Sequence, residues 1–144
     1  MTNQKGFTLT EALISLVITG LLTSFSLPTL SRLYDEFQLN QALSVLQSDL
    51  HRVRDYNMVP LQSGLRKEVV IDHDHDFYTL VLGSEVVAKR RLPDRVNIQG
   101  SGTSRISFTS SGNISRSGSF TVSSRYLTKR VVFSIGIGGV DIRD

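Results

Sequence analysis

The run Asp72-His73-Asp74-His75-Asp76 is the densest group of potential metal ligands in the sequence. Carboxylate oxygens and imidazole nitrogens both bind divalent cations. In an extended strand, however, the three aspartates share one face and the two histidines the other, so the five groups do not converge unless the chain curls. The sequence therefore predicts a polar hairpin turn, with Asp72, Asp74 and Asp76 as a weak metal-site candidate, and no resident metal or cofactor.

A basic run follows, formed by Lys89, Arg90, Arg91 and Arg95. Cationic side chains at this density can contact DNA phosphates. Edge strands also carry such residues because charge discourages aggregation, and the same charges could form salt bridges between subunits. No aromatic residue is interleaved among them, which argues against a stacking site for single-stranded nucleic acid. Direct DNA contact is thus one interpretation of this run, beside a solvated strand edge or intersubunit salt bridges.

Catalytic signatures are absent from the sequence. There is no cysteine, so thiol chemistry, disulfides and thiolate metal sites are excluded. The three histidines are not accompanied by a serine-hydrolase, zinc-protease or phosphate-binding motif. The net charge of +3 is mild and excludes neither nucleic-acid contact nor solubility. We therefore expect a protein that is not an enzyme.

Glu11 is the most informative single residue, because it is the only charge between Phe7 and Leu27. As a helix, these 21 residues would span about 31 Å, close to the thickness of a bilayer core. An ionisable side chain inside such a span is costly unless it has a partner, and therefore suggests a function. Lys5, just before the span, predicts a cytoplasmic N-terminus with everything after residue 30 outside.

Two ordinary interpretations of this segment remain open. A secretory signal peptide has a shorter apolar region, of about 7–15 residues, and Ser24-Phe25-Ser26 is a weak cleavage site for it. A plain membrane anchor fits the length but leaves Glu11 unexplained. Under either interpretation, the rest of the chain would be a secreted or membrane-anchored binding domain.

The stretch Lys5-Gly6-Phe7-Thr8-Leu9-Thr10-Glu11 resembles the class III leader junction of type IV pilins and pseudopilins. By this resemblance, residues 1–6 are a leader that prepilin peptidase removes after Gly6, and Phe7 becomes the methylated N-terminus. Glu11 corresponds to the family's assembly glutamate. Cleavage would create a cationic amine at Phe7, and Glu11 could neutralise the amine of a neighbouring subunit as apolar helices pack side by side.

Gly20 and Pro28 are expected helix breakers within the same segment. Glycine weakens a helix through entropy, and Pro28 lacks an N–H and clashes with the carbonyl of Ser24. Members of the family carry breakers at similar places and can melt locally there during assembly. Pro28 could equally mark only the exit from the membrane.

Beyond Pro28, apolar residues recur in steps of three and four, which predicts an amphipathic helix. We expect one helix over residues 7–57, transmembrane over about 7–27 and ending before Pro60. The predicted apolar face consists of Leu30, Leu33, Phe37, Leu39, Leu43, Leu46, Leu50 and Val53. Most polar residues are expected on other faces, among them Asp35, Glu36, Gln38, Gln41, Gln47, Asp49 and Arg52.

From Leu65 onward, short alternating or β-branched runs are separated by turn signals. Together with the helix they predict an α+β fold of the pilin type, in which the helix packs on a small antiparallel β-sheet domain over residues 58–144. Strands are predicted at residues 67–72, 77–82, 85–92, 95–99, 105–109, 119–124, 130–135 and 139–142.

The Ser- and Gly-rich tail is similar to the GspH/FimT-type end of minor pseudopilins, and the whole chain resembles the ComGD type of competence pseudopilin from Gram-positive bacteria. This resemblance implies a minor subunit of a filament for DNA uptake. A minor pseudopilin or pilin of a type II secretion or type IV pilus system is the alternative. The implied partners are other major and minor pseudopilins, prepilin peptidase and, indirectly, an assembly ATPase and a membrane platform protein. The chain would cross the cell membrane once, with its β domain outside, and reach the cell surface in the filament.

Overall fold

The computed structural model describes residues 8–59, 64–73, 75–100, 103–135 and 140–143. Within them lie one α-helix, α1 (Leu9–Met58), and eight strands. Every predicted strand is present with ends within two residues of expectation, and the predicted α+β fold class is confirmed. The strands are β1 (Lys67–Asp72), β2 (Phe77–Leu82), β3 (Glu85–Arg91), β4 (Asn97–Gln99), β5 (Thr103–Ser107), β6 (Gly118–Ser123), β7 (Thr128–Phe133) and β8 (Val140–Arg143).

The strands form two four-stranded sheets rather than one. The first sheet has the order β3-β2-β1-β5 and the second the order β4-β6-β7-β8, and all pairs are antiparallel. The alternating sequence pattern identified the strands, but it did not encode which distant strands would pair. In the first sheet β3 is an edge strand, joined to β2 by the tight turn at Gly83.

The chain divides into two compact units, Met1–Tyr34 and Asp35–Asp144. The division falls inside α1, so the second half of the helix belongs to the same unit as the strands.

In the second unit, one face of α1 contributes to a continuous core with both sheets. The buried apolar positions repeat every three or four residues, as expected for a helix packed along one side. Leu30, Leu33 and Phe37 were predicted on this face, but each is more than half exposed. The buried apolar positions of α1 are Leu39, Ala42, Leu43, Leu46, Leu50 and Val53.

Three polar residues of α1 are also buried, namely Asp35, Asp49 and Asn57. The prediction that Asp35 and Asp49 lie away from the core face is therefore wrong. Asn57 shows why a polar group is tolerated here: its Oδ1 accepts a 2.9 Å hydrogen bond from the Lys67 amide, and its Nδ2 donates to the Lys67 carbonyl at 2.8 Å. The same Nδ2 reaches the Phe108 carbonyl at 3.3 Å. A buried amide with these bonds fixes the end of α1 to the start of β1.

Candidate functional site

The described chain opens with a reciprocal capping arrangement between Thr8 and Glu11. The Thr8 amide donates to Glu11 Oε2 at 2.9 Å, and the Thr8 hydroxyl donates to the same oxygen at 2.7 Å. In return, the Glu11 amide donates to Thr8 Oγ1 at 3.3 Å. This is a capping box, in which the N-cap residue and the third helical residue satisfy each other's free backbone amides. Glu11 therefore has a partner inside its own chain before any neighbour is present.

Thr8 was not singled out by the sequence analysis. The signal was present, because threonine followed three residues later by glutamate at the head of an apolar run is the sequence mark of a capping box. The family resemblance implied roles for Gly6, Phe7 and Glu11, but none for Thr8.

The helix behind this cap exposes its apolar side chains all round. Among the described residues, one helix, α1, is long enough and apolar enough to cross a membrane. Its most apolar 18-residue window has a mean hydropathy of 1.8. No part of that window is buried within the chain. Such a surface needs lipid or other apolar helices around it. The exposed large side chains of the first unit are Leu9, Leu13, Ile14, Leu16, Val17, Ile18, Leu21, Leu22, Phe25, Leu27, Leu30, Leu33 and Tyr34.

Two threonines in this segment bind back to the helix itself. Thr19 donates its hydroxyl to the Ser15 carbonyl at 2.8 Å, and Thr23 donates to the Thr19 carbonyl at 2.7 Å. Their polar hydrogens are thereby satisfied without a neighbouring helix, which suits an apolar surrounding.

Gly20 and Pro28 both lie inside α1, and the helix continues through them. A methyl group on Gly20 would meet no atom of the described residues within 4 Å. Gly20 is thus not required by packing within the chain. Gly6 and Phe7, the predicted cleavage and methylation residues, lie outside the described residues.

Residues 1–27 match the family model for the prokaryotic N-terminal methylation motif. The match spans the predicted leader, Gly6, Phe7 and Glu11, together with most of the apolar helix. It supports a type IV pilin-like protein. The class III leader implies processing by prepilin peptidase and assembly with other pilins, and together with the apolar helix it supports a membrane-anchored protein. No curated protein and no solved structure matches the chain.

In the β domain of this pilin-like protein, the basic run is divided between two locations. Arg90 Nε lies 3.2 Å from Asp49 Oδ2, and Arg95 Nη1 lies 2.9 Å from Asp35 Oδ1. Both carboxylates are on α1 and almost fully buried, whereas the arginines are about half exposed. These two ion pairs therefore connect α1 to the segment from β3 to β4. The positive charges of the arginines also offset the free-energy cost of burying the two carboxylates.

Asp49 has a further partner in Tyr78 of β2, whose hydroxyl donates to Asp49 Oδ2 at 2.9 Å. Burial raises the pKa of Tyr78 far above its usual value, and the hydrogen bond to Asp49 and its negative charge act in the same direction. The phenol consequently stays protonated and remains a donor. Asp35 has fewer hydrogen bonds than Asp49, because its Oδ2 is buried without a hydrogen-bond partner among the described residues.

Lys89 and Arg91 lie on the opposite side of β3 from Arg90, as the alternation of a strand requires. Lys89 Nζ stands 3.5 Å from the centroid of the Phe77 ring, a cation–π contact. Arg91 is the cross-strand partner of Phe77 in the pairing of β2 with β3. The structure thus pairs Arg90 and Arg95 with buried acids of α1, and places an aromatic ring beside Lys89 and Arg91.

His73, His75 and Asp76 lie between the ends of β1 and β2, where a hairpin turn was predicted. His75 Nδ1 lies 2.8 Å from Asp72 Oδ2, while His73 Nε2 lies 2.8 Å from Ser104 Oγ. Asp74 lies outside the described residues. Among the residues that the structure describes, no group of three acidic or histidine side chains is arranged to hold a metal ion.

Proposed function

We propose that this pilin-like protein is a minor pseudopilin of a type IV-pilus-like filament that takes up DNA in a Gram-positive bacterium. One observation carries the proposal: Glu11 is the only charge in the apolar stretch from Phe7 to Leu27, which lies within the methylation motif. The role is structural rather than enzymatic. The alternative within the same class is a minor pseudopilin or pilin of a type II secretion or type IV pilus system.

Assembly begins with hydrolysis of the Gly6–Phe7 peptide bond, which leaves a carboxylate on Gly6 and an amine on Phe7. Before cleavage, the Glu11 carboxylate accepts hydrogen bonds from Thr8. After cleavage, the amine of a neighbouring subunit offers Glu11 a full positive charge, and attraction between opposite charges is strong where water is scarce. A subunit that keeps its leader has no such amine to offer.

The apolar side chains of the first unit contribute the other contacts that hold subunits together. In the membrane its side chains meet lipid, and in the filament they meet the equivalent helices of other subunits. An assembly ATPase and a membrane platform protein would drive this transfer, with the N-terminus cytoplasmic and the β domain outside. Gly20 and Pro28 would allow the helix to loosen locally while it changes surroundings.

The DNA-uptake assignment is supported by the resemblance to competence pseudopilins and by a β domain with exposed cationic residues on β3. A minor rather than a major subunit is supported by the same resemblance.

Deletion of the gene in its own host should reduce transformation to background while leaving growth normal. The chain should also be recovered in filaments sheared from cells, and this recovery should depend on the assembly ATPase. Complementation with the wild-type gene is the control. Normal transformation in the deletion strain would contradict the uptake role, and loss of protein secretion instead would favour the secretion alternative.

A further inference from the structure

A cleft of about 620 Å³ lies beside the outer face of β3, lined by His75, Asp76, Phe77, Lys89 and Arg91. Its volume falls in the range of roughly 300–1,000 Å³ that is usual for small-ligand pockets. The residues come from the turn between β1 and β2 and from two paired strands, so the fold brings together groups that the sequence keeps separate.

Two rings and two cations meet in this cleft. The His75 and Phe77 rings have centroids 5.2 Å apart, and Lys89 Nζ stands 3.5 Å from the Phe77 centroid. The His75 side chain is 60% exposed, so a planar group can reach its ring. The aromatic residues that were missing among the neighbours of Lys89 in sequence are therefore supplied across the sheet.

Two described acids near the cleft, Asp72 and Asp76, have hydrogen-bond partners. Asp72 holds His75 at 2.8 Å. With the Asn97 amide oriented to donate, its nitrogen lies 3.2 Å from Asp76 Oδ1. The described lining of the cleft thus carries two positive charges, on Lys89 and Arg91, and one negative charge, on Asp76.

We infer that this cleft binds single-stranded nucleic acid, with phosphates on Lys89 and Arg91 and a base against the His75 ring. Cations that follow the backbone, combined with rings that accept any base, are the usual elements of sequence-tolerant binding of single strands. A simple anion site would not need the rings, and an acidic peptide would not use them as stacking surfaces. The inference rests on the proposed function, because only a subunit of a DNA-uptake filament would meet DNA outside the cell.

Fluorescence anisotropy tests this with the full chain in maltoside micelles and a labelled 15-nucleotide oligothymidylate. The double variant Lys89→Gln, Arg91→Gln should bind more weakly, and the slope of log affinity against log salt should become less negative by about 1.4, at about 0.7 per phosphate contact. His75→Gln keeps a hydrogen-bonding group for Asp72 but removes the ring, and should weaken binding roughly fivefold or more.

The matched control is Lys129→Gln, Arg130→Gln, which removes the same charge from β7 of the second sheet and should leave binding unchanged. An equal loss in this control would overturn the inference, because binding would then follow net charge alone. A normal affinity for His75→Gln, with inorganic polyphosphate competing as well as the oligonucleotide, would also overturn it. Filaments that contain the chain although it binds no oligonucleotide would refute this site and leave the filament role intact.

Discussion

A Glu11→Val variant is expected to enter the membrane and lose its leader much as the wild type does, but to be missing from sheared filaments. Valine keeps the segment apolar, so insertion has no reason to fail. Loss of the capping box costs only about 1 kcal/mol, which is small for a helix of this length. What the variant lacks is a negative charge to receive a neighbour's amine. Immunoblots of membrane and sheared fractions measure both outcomes.

Glu11→Gln separates the capping contact that the structure shows from the charge pairing that we propose for Glu11. Glutamine serves in a capping box as glutamate does, so the contacts with Thr8 survive while the charge is lost. If assembly depends on the charge, this variant fails as completely as the valine variant. Thr8→Ala is the converse control, because it removes the cap but keeps the carboxylate, and it should still assemble. Normal assembly of Glu11→Gln, with failure of Thr8→Ala, would show that capping rather than charge pairing is the function of Glu11.

The Asp49→Ala variant is expected to destabilise the β domain by roughly 2–3 kcal/mol. Alanine deprives the buried Tyr78 hydroxyl of its acceptor at 2.9 Å and leaves Arg90 without its carboxylate. Arg90 is about half exposed and can turn to water, which keeps the loss below that of a fully buried ion pair. Near-UV circular dichroism of the full chain in micelles, followed during urea unfolding, gives the free energy of unfolding.

The matched control for this change is Asp55→Ala, which makes the same substitution at an exposed position of α1 and should cost little. A double-mutant cycle that combines Asp49→Ala with Arg90→Ala then measures the interaction free energy between Asp49 of α1 and Arg90 of β3. The double variant should be less destabilised than the sum of the two single changes, since each removes the same contact. Additive losses, or equal effects of Asp49→Ala and Asp55→Ala, would contradict the role of Asp49.

The strands and the helix were predictable because their signals are local. The alternation of apolar and polar residues predicted both ends of β1 and of β2 at the observed residues. The spacing of three and four residues from Leu39 to Val53 predicted the packed face of α1. Leu30, Leu33 and Phe37 were assigned wrongly to that face because the steps of three and four break between Phe37 and Leu39, which are two residues apart. The first three residues continue the exposed apolar part of the helix.

The buried acids could not be predicted, because their partners lie far along the chain. Asp35 is joined to Arg95 and Asp49 to Tyr78 and Arg90, and no periodic pattern links such distant positions. The sequence could have predicted that Arg90 lies on the other side of β3 from Lys89 and Arg91, because successive side chains of a strand alternate between its two faces. The aromatic neighbour of Lys89 was not, because Phe77 reaches it only through the pairing of β2 with β3.

Mass spectrometry of the chain's N-terminal peptide, isolated from membranes of its own host, tests the central claim most directly. The claim is that Glu11 meets an amine released at residue 7. We expect the mature chain to begin at Phe7 carrying one methyl group, and a strain without prepilin peptidase to keep the Met1 leader. A chain trimmed near Ser26, or one left intact across Gly6 in wild-type cells, would contradict the account.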